Sequence, residues 1–145
     1  PAVYYGDEAG VCGFTDPDNR RTYPWGHEDK ELIDFHKAAI KMHKENEVLR
    51  TGSYKQLYSA HNVIAYGRFT SDDAVIVVVN NGEDEIRVNI PAWETGLAMD
   101  DDVEQIMVTF EGGYSTDRQG YRLKDGILNI GLRKTSATVL RRLRW

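Results

Sequence analysis

Over residues 29–49 apolar side chains return every three or four positions, and beyond Gly52 they return every second position. One element cannot carry both periods, so the chain divides near residue 52 into a helical part and a strand-rich part. Leu32, Phe35, His36, Ala39, Ile40 and His43 mark the apolar stripe of the helix. Asp29 and Glu31 stand at its positive end, and Thr51-Gly52 supplies the stop. A helix of that extent is roughly 30 Å long.

The strand-rich part reads as strands over 54–58 and 63–69, broken at His61-Asn62, then the apolar run 74–79. A turn at Asn80-Asn81-Gly82-Glu83 leads to 85–90, which alternates cleanly. Residues 121–123 and 127–130 flank Asp125-Gly126 as a predicted hairpin, and 137–141 form a last strand. Short strands separated by turns predict an antiparallel β-sandwich. Ahead of the helix, Ala2-Val3-Tyr4-Tyr5 reads as a short buried strand followed by a loop. That makes one β/α unit, whereas a parallel strand needs neighbours on both sides. The chain is therefore expected to be the tail of a longer protein. The open edges of its first strand are expected to pair with another chain.

A formal net charge of −5 argues against a nucleic-acid partner, which calls for a basic face. The one cationic cluster, Arg141-Arg142-Leu143-Arg144, has the alternation of a last strand rather than of a polyanion patch. No apolar run approaches the ~20 residues that span a bilayer, so no membrane segment is expected. A single cysteine, Cys12, rules out an internal disulfide and fits a reducing compartment, with a lean to the cytoplasm. His36 and His43 lie two helical turns apart, too far to share one ion without other ligands, and no metal site is assigned. Asp100-Asp101-Asp102 with Glu104 offers oxygens to calcium but lacks the spacing of a dedicated loop. It reads as a solvated loop.

Pro1-Ala2-Val3-Tyr4-Tyr5-Gly6-Asp7-Glu8 resembles the segment around the eighth barrel strand of the α-amylase family of glycoside hydrolases. In that family the following loop often carries Asp-Pro-x-x-Arg and then a tryptophan, matched here by Asp16, Pro17, Arg20 and Trp25. The insertion Gly-Phe-Thr-Asp-Pro-Asp-Asn-Arg-Arg looks most like neopullulanase, cyclomaltodextrinase and maltogenic amylase. The resemblance implies an α+β fragment. Residues 1–52 would be the end of a catalytic (β/α)8 barrel (strand, substrate loop and helix), and 53–145 a C-terminal antiparallel β-sandwich. It implies a parent that hydrolyses α-1,4 and α-1,6 glucosidic bonds in α-glucans such as starch, maltooligosaccharides, cyclodextrin or pullulan, with retention. The family's catalytic carboxylates come from earlier barrel strands, so no catalytic residue is assigned here and the chain alone is expected to be inactive. No cofactor is implied for this chain, and calcium in the parent stays open. The implied partners are an α-glucan and the chain's own barrel, with a homodimer left open.

Asp7 and Glu8 cannot be the catalytic pair. A retaining glycosidase needs two converging carboxyls, whereas neighbours on a strand point to opposite faces. A structural or supporting role is expected for both. Asp16 and Arg20, four residues apart in a tight loop, suit a carboxylate and a guanidinium that share sugar hydroxyls, or an ion pair that simply holds the loop. The resemblance favours sugar contact and favours Arg20 over Arg21. Trp25 joins them as a candidate stacking face, against the alternative of a packing anchor, with Tyr23 a weaker candidate. Tyr4 and Tyr5 are expected on opposite faces of the first strand. Tyr54, Tyr58, Tyr66, Trp93, Tyr114 and Tyr121 raise the rival of a glucan-binding module. The even spacing of Tyr54, Tyr58 and Tyr66 instead suggests a shared core face.

Overall fold

The carboxylate of Asp29 accepts the amide of Leu32 at 2.9 Å and so caps helix α1, Lys30–Glu45. In the computed structural model, which describes residues 1–143, this helix stops short of the extent expected over 29–49. Asn46 is extended, with φ −111° and ψ 95°, and a separate short helix α2 covers Glu47–Thr51. Asparagine is a weak helix former because its side chain competes for backbone groups. The break lets Val48 become buried while α1 itself buries no residue fully. At 16 residues α1 is about 24 Å long.

The chain forms two compact units, Pro1–Glu45 and Asn46–Trp145, with α2 in the second. In the first unit the expected opening strand does not form. Residues 1–4 have no regular structure, and Asp7–Ala9 make a single 3-10 turn between Gly6 and Gly10, both with positive φ. Without partner strands there is no ladder to hold an extended ribbon. Tyr4 and Tyr5 do not take opposite faces either. Their rings touch, centroids 4.9 Å apart.

The second unit holds strands β1 (Ser53–Ala60), β2 (Val63–Phe69), β3 (Ala74–Asn80), β4 (Ile86–Pro91), β5 (Asp102–Phe110), β6 (Gly113–Ser115), β7 (Gln119–Arg122), β8 (Ile127–Leu132) and β9 (Ser136–Arg142). One sheet runs β1-β2-β3-β9-β5-β6, with β7 also on β5, and a second joins β4 and β8. Every pairing is antiparallel. Ala74, Ile76 and Val78 of β3, Leu140 of β9, Val88 and Ile90 of β4, and Leu128, Ile130 and Leu132 of β8 share one core. On β4 and β8 the alternate residues face out, where Asn129 bridges Arg87 and Asn89. Central β3 is covered on its other face as well, Val75 being wholly buried. That is why its sequence reads as one apolar run.

Three expectations change here. The Asp125-Gly126 turn exists, both residues having positive φ, but its arms part into different sheets, β7 pairing with β5 and β8 with β4. The acidic run is a solvated loop only at its start, where the Asp100 side chain is 80% exposed. Asp102 begins β5, Arg122 bonds Asp100 and Asp102, Arg142 bonds Asp101, and Arg118 bonds Glu104. Nor do Tyr54 and Tyr58 share a face. A bulge between Gln56 and Tyr58 shifts the register, so Tyr58 pairs with core residue Ala65. Tyr54 stays 59% exposed against the ring of Tyr66. Of the terminal basic cluster, Arg141 and Arg142 lie on β9, and Arg144 falls outside the described residues.

Candidate functional site

The loop between the 3-10 turn and α1 is almost entirely exposed yet closely stitched. Its two arms meet where Gly13 lies against Asn19. A Cβ on Gly13 would stand 2.7 Å from the Asn19 Cα, so only glycine allows this closure. The amide of Asp18 donates to the Thr15 carbonyl at 2.8 Å, and that of Arg20 to the Pro17 carbonyl at 3.0 Å. The Asp16–Pro17 peptide at the tip is cis. Phenolic Tyr5 donates to the Arg21 carbonyl at 2.8 Å and ties the loop to the N-terminal segment.

Two Asp–Arg pairs sit on this frame. Arg20 forks onto Asp16, its Nε 3.0 Å from Oδ1 and its Nη2 3.1 Å from Oδ2. Arg21 instead meets Asp18, its Nη2 2.6 Å from Oδ1, while the other Asp18 oxygen accepts the Phe14 amide at 3.0 Å. The Arg21 hydrogen bond, followed by that of the Phe14 amide, holds the Asp18 carboxyl below the ordinary aspartate value. The side chains of Arg20 and Asp16 are 69% and 60% exposed. An exposed ion pair contributes little net energy, so a polar ligand can exchange into it at small cost.

Trp25 is 80% exposed, its ring 4.6 Å from that of Tyr23 and tilted by 50°. Loss of hydration, with the charges of Glu8 and Glu28 nearby, pushes the Tyr23 phenol up. Asp7 and Glu8 lie on the 3-10 turn rather than on a strand, and Glu8 folds back to accept the Gly6 amide at 3.0 Å. Glu28 accepts the Gly26 amide at 3.1 Å, and backbone amides hold its carboxyl down. On α1 the His36 ring bonds the Leu32 carbonyl at 2.9 Å.

No family model matches the chain. An amylopullulanase of Thermoanaerobacter thermohydrosulfuricus is 45% identical over 94 residues, 57% of this chain and 6% of that protein. A cyclomaltodextrinase of Thermoanaerobacter pseudethanolicus is 42% identical over 83 residues, covering 56% of this chain and 14% of that protein. The crystal structure of an Anoxybacillus α-amylase superposes on 98% of this chain and 28% of its own, with a TM-score of 0.78 and 25% identity. Its likeness is to the α-amylase family of glycoside hydrolases. The mostly antiparallel body with few helices matches structures of that family. The chain spans a small fraction of these family proteins.

Of the residues singled out from the sequence, the loop joins Asp16 to Arg20 and seats Trp25 on Tyr23, while Asp7 and Glu8 stay on the preceding turn. Asp18, which organises the loop, did not stand out in the sequence, and Tyr5, expected there as a strand residue, anchors the loop through its hydroxyl. The spacing of Asp18 to Arg21 is the same kind of signal that singled out Asp16 and Arg20.

Proposed function

We propose that this chain is the C-terminal segment of a retaining glycoside hydrolase acting on α-glucans, and that Asp16, Arg20 and Trp25 contact the sugar. The observation that carries the reading is the exposed fork of Arg20 on Asp16, presented by a loop that hydrogen bonds hold closed. A glucose ring carries vicinal hydroxyls that both donate and accept. The carboxylate accepts from one and the guanidinium donates to another, replacing bonds the pair makes to each other. The family likeness supports an α-glucan as the ligand. In this reading residues 1–52 complete a catalytic barrel whose earlier strands bring the reacting carboxylates, and residues 53–145 form a β-sandwich that covers the barrel's flank. The isolated chain is then inactive.

The test is kinetic, in the full-length protein that carries this segment. Asp16→Ala and Arg20→Ala raise KM for maltooligosaccharides while kcat changes little, because the pair binds the sugar without touching the reacting bond. Unchanged KM in both variants overturns the sugar contact. Hydrolysis of maltooligosaccharides by the isolated chain overturns its assignment as a segment without catalytic groups.

A second reading is a glucan-binding module, favoured by Trp93 at 48% exposure and by the exposed face of Tyr54. Affinity of residues 46–145 for maltooligosaccharides, lost in Trp93→Ala, would support it.

A further inference from the structure

Phe14 is the most exposed large apolar side chain among the described residues, at 85%. Single apolar side chains on a surface are ordinary. This one differs because its backbone is fixed. Its amide bonds Asp18 Oδ2 at 3.0 Å, and Asp18 is itself gripped by Arg21. The next residue, Thr15, accepts the Asp18 amide. On the other side Gly13 is pressed against Asp18 and Asn19, where a Cβ would lie 2.9 Å from the Asp18 carbonyl oxygen. The loop thus closes behind Phe14 and leaves its ring in solvent, two positions from Asp16 and its fork to Arg20.

An apolar ring two positions along the chain from a carboxylate–guanidinium pair has the chemistry that a pyranose calls for. The C–H face of glucose packs on an aromatic face, and its hydroxyl rim bonds polar groups. We propose that Phe14 is a stacking platform for one glucose unit of an α-glucan and that it sets a preference for longer chains. The proposal rests on reading Asp16 and Arg20 as sugar contacts. A chain long enough to cover both the fork and the ring gains two contacts, whereas a short one reaches a single contact.

The experiment is steady-state kinetics of the full-length protein on maltotriose and maltohexaose, with thermal unfolding of every variant. Phe14→Ala is expected to raise KM for maltohexaose on the order of fivefold. It leaves maltotriose within about twofold and kcat and Tm unchanged, since an exposed ring adds little to folding. Phe14→Trp, which keeps a flat face, restores the maltohexaose KM. Equal changes on both substrates, no change on either, or a lowered Tm with no rescue by tryptophan overturns the platform. Asp16→Ala separates the two levels. If it raises KM while Phe14→Ala does not, only the platform falls. If neither variant moves KM, the sugar-binding reading of the loop falls with it.

Discussion

The two units of this chain hold their shape by different physics. From Asn46 onward apolar side chains of two sheets share a core, with Ile76, Ile90, Leu128, Ile130 and Leu140 no more than 1% exposed. Before Asn46 the one buried apolar side chain is Ala9, while Val3, Tyr4, Tyr5, Phe14, Trp25 and Ile40 stand 45% or more in solvent. What order exists there comes from caps and short hydrogen bonds, with Asp29 on α1, Asp18 in the loop and Tyr5 on Arg21. Such bonds fix a local shape but bury little apolar area, and burial is the dominant favourable term in folding. The second unit therefore has the means to fold alone, and the first has no apolar core of its own with which to do so.

Separating the units gives the largest effect. Residues 46–145 expressed alone should unfold in one cooperative thermal transition. Residues 1–45 alone should show little helix by circular dichroism, because a 16-residue helix without packing is marginal in water. A cooperative transition in 1–45 would break the contrast. Single substitutions in the whole chain sharpen it next. Leu128→Ala should lower stability to urea by about 3–4 kcal/mol, whereas Ile40→Ala should stay within about 0.5 kcal/mol. Comparable losses would mean that α1 is packed as tightly as β8. The ion pairs follow the same division. Asp73 is 8% exposed, accepts Arg141 Nε and Nη2 at 3.1 and 2.6 Å, and also bonds the Ala74 amide. Asp73→Ala should cost about 2–3 kcal/mol by leaving Arg141 half-buried without that partner. Asp16→Ala should leave unfolding unchanged.

The same division governs what could be read from the sequence. Strands that alternate without interruption were legible: β2 fits 63–69 residue for residue, and β3, β4, β8 and β9 lie within one or two residues of expectation. Strand β5 was not, because its register slips against β9 between Gln105 and Met107. Val103, Gln105, Ile106 and Met107 are then all buried, and the period of two disappears. Its acidic start also reads as loop until the arginines that pair with it are placed in space. The bulge in β1 misled the tyrosine parity in the same way. In the first unit the motif residues stood out by type and spacing. The strand drawn through Tyr4 and Tyr5 did not form, because a strand depends on partners that periodicity alone cannot supply.

The smallest effect tests whether hydrogen bonds alone order the loop. Arg21 and the Phe14 amide both favour the ionised form of Asp18, so its folded pKa lies below its unfolded one. A depressed carboxyl contributes order that is present above the unfolded pKa and is lost as pH falls through the folded value. The Asp18 carboxyl carbon, followed by NMR, should therefore titrate below the ordinary aspartate value, and the Phe14 amide resonance should move at the same midpoint. Arg21→Gln removes the larger cause and should raise that midpoint while leaving the Phe14 amide bond in place. Thermal unfolding of the core of residues 46–145 should not respond to Arg21→Gln at any pH. A native midpoint at or above the ordinary value would mean that Asp18 does not hold the loop closed, and the first unit would then lack even its local order.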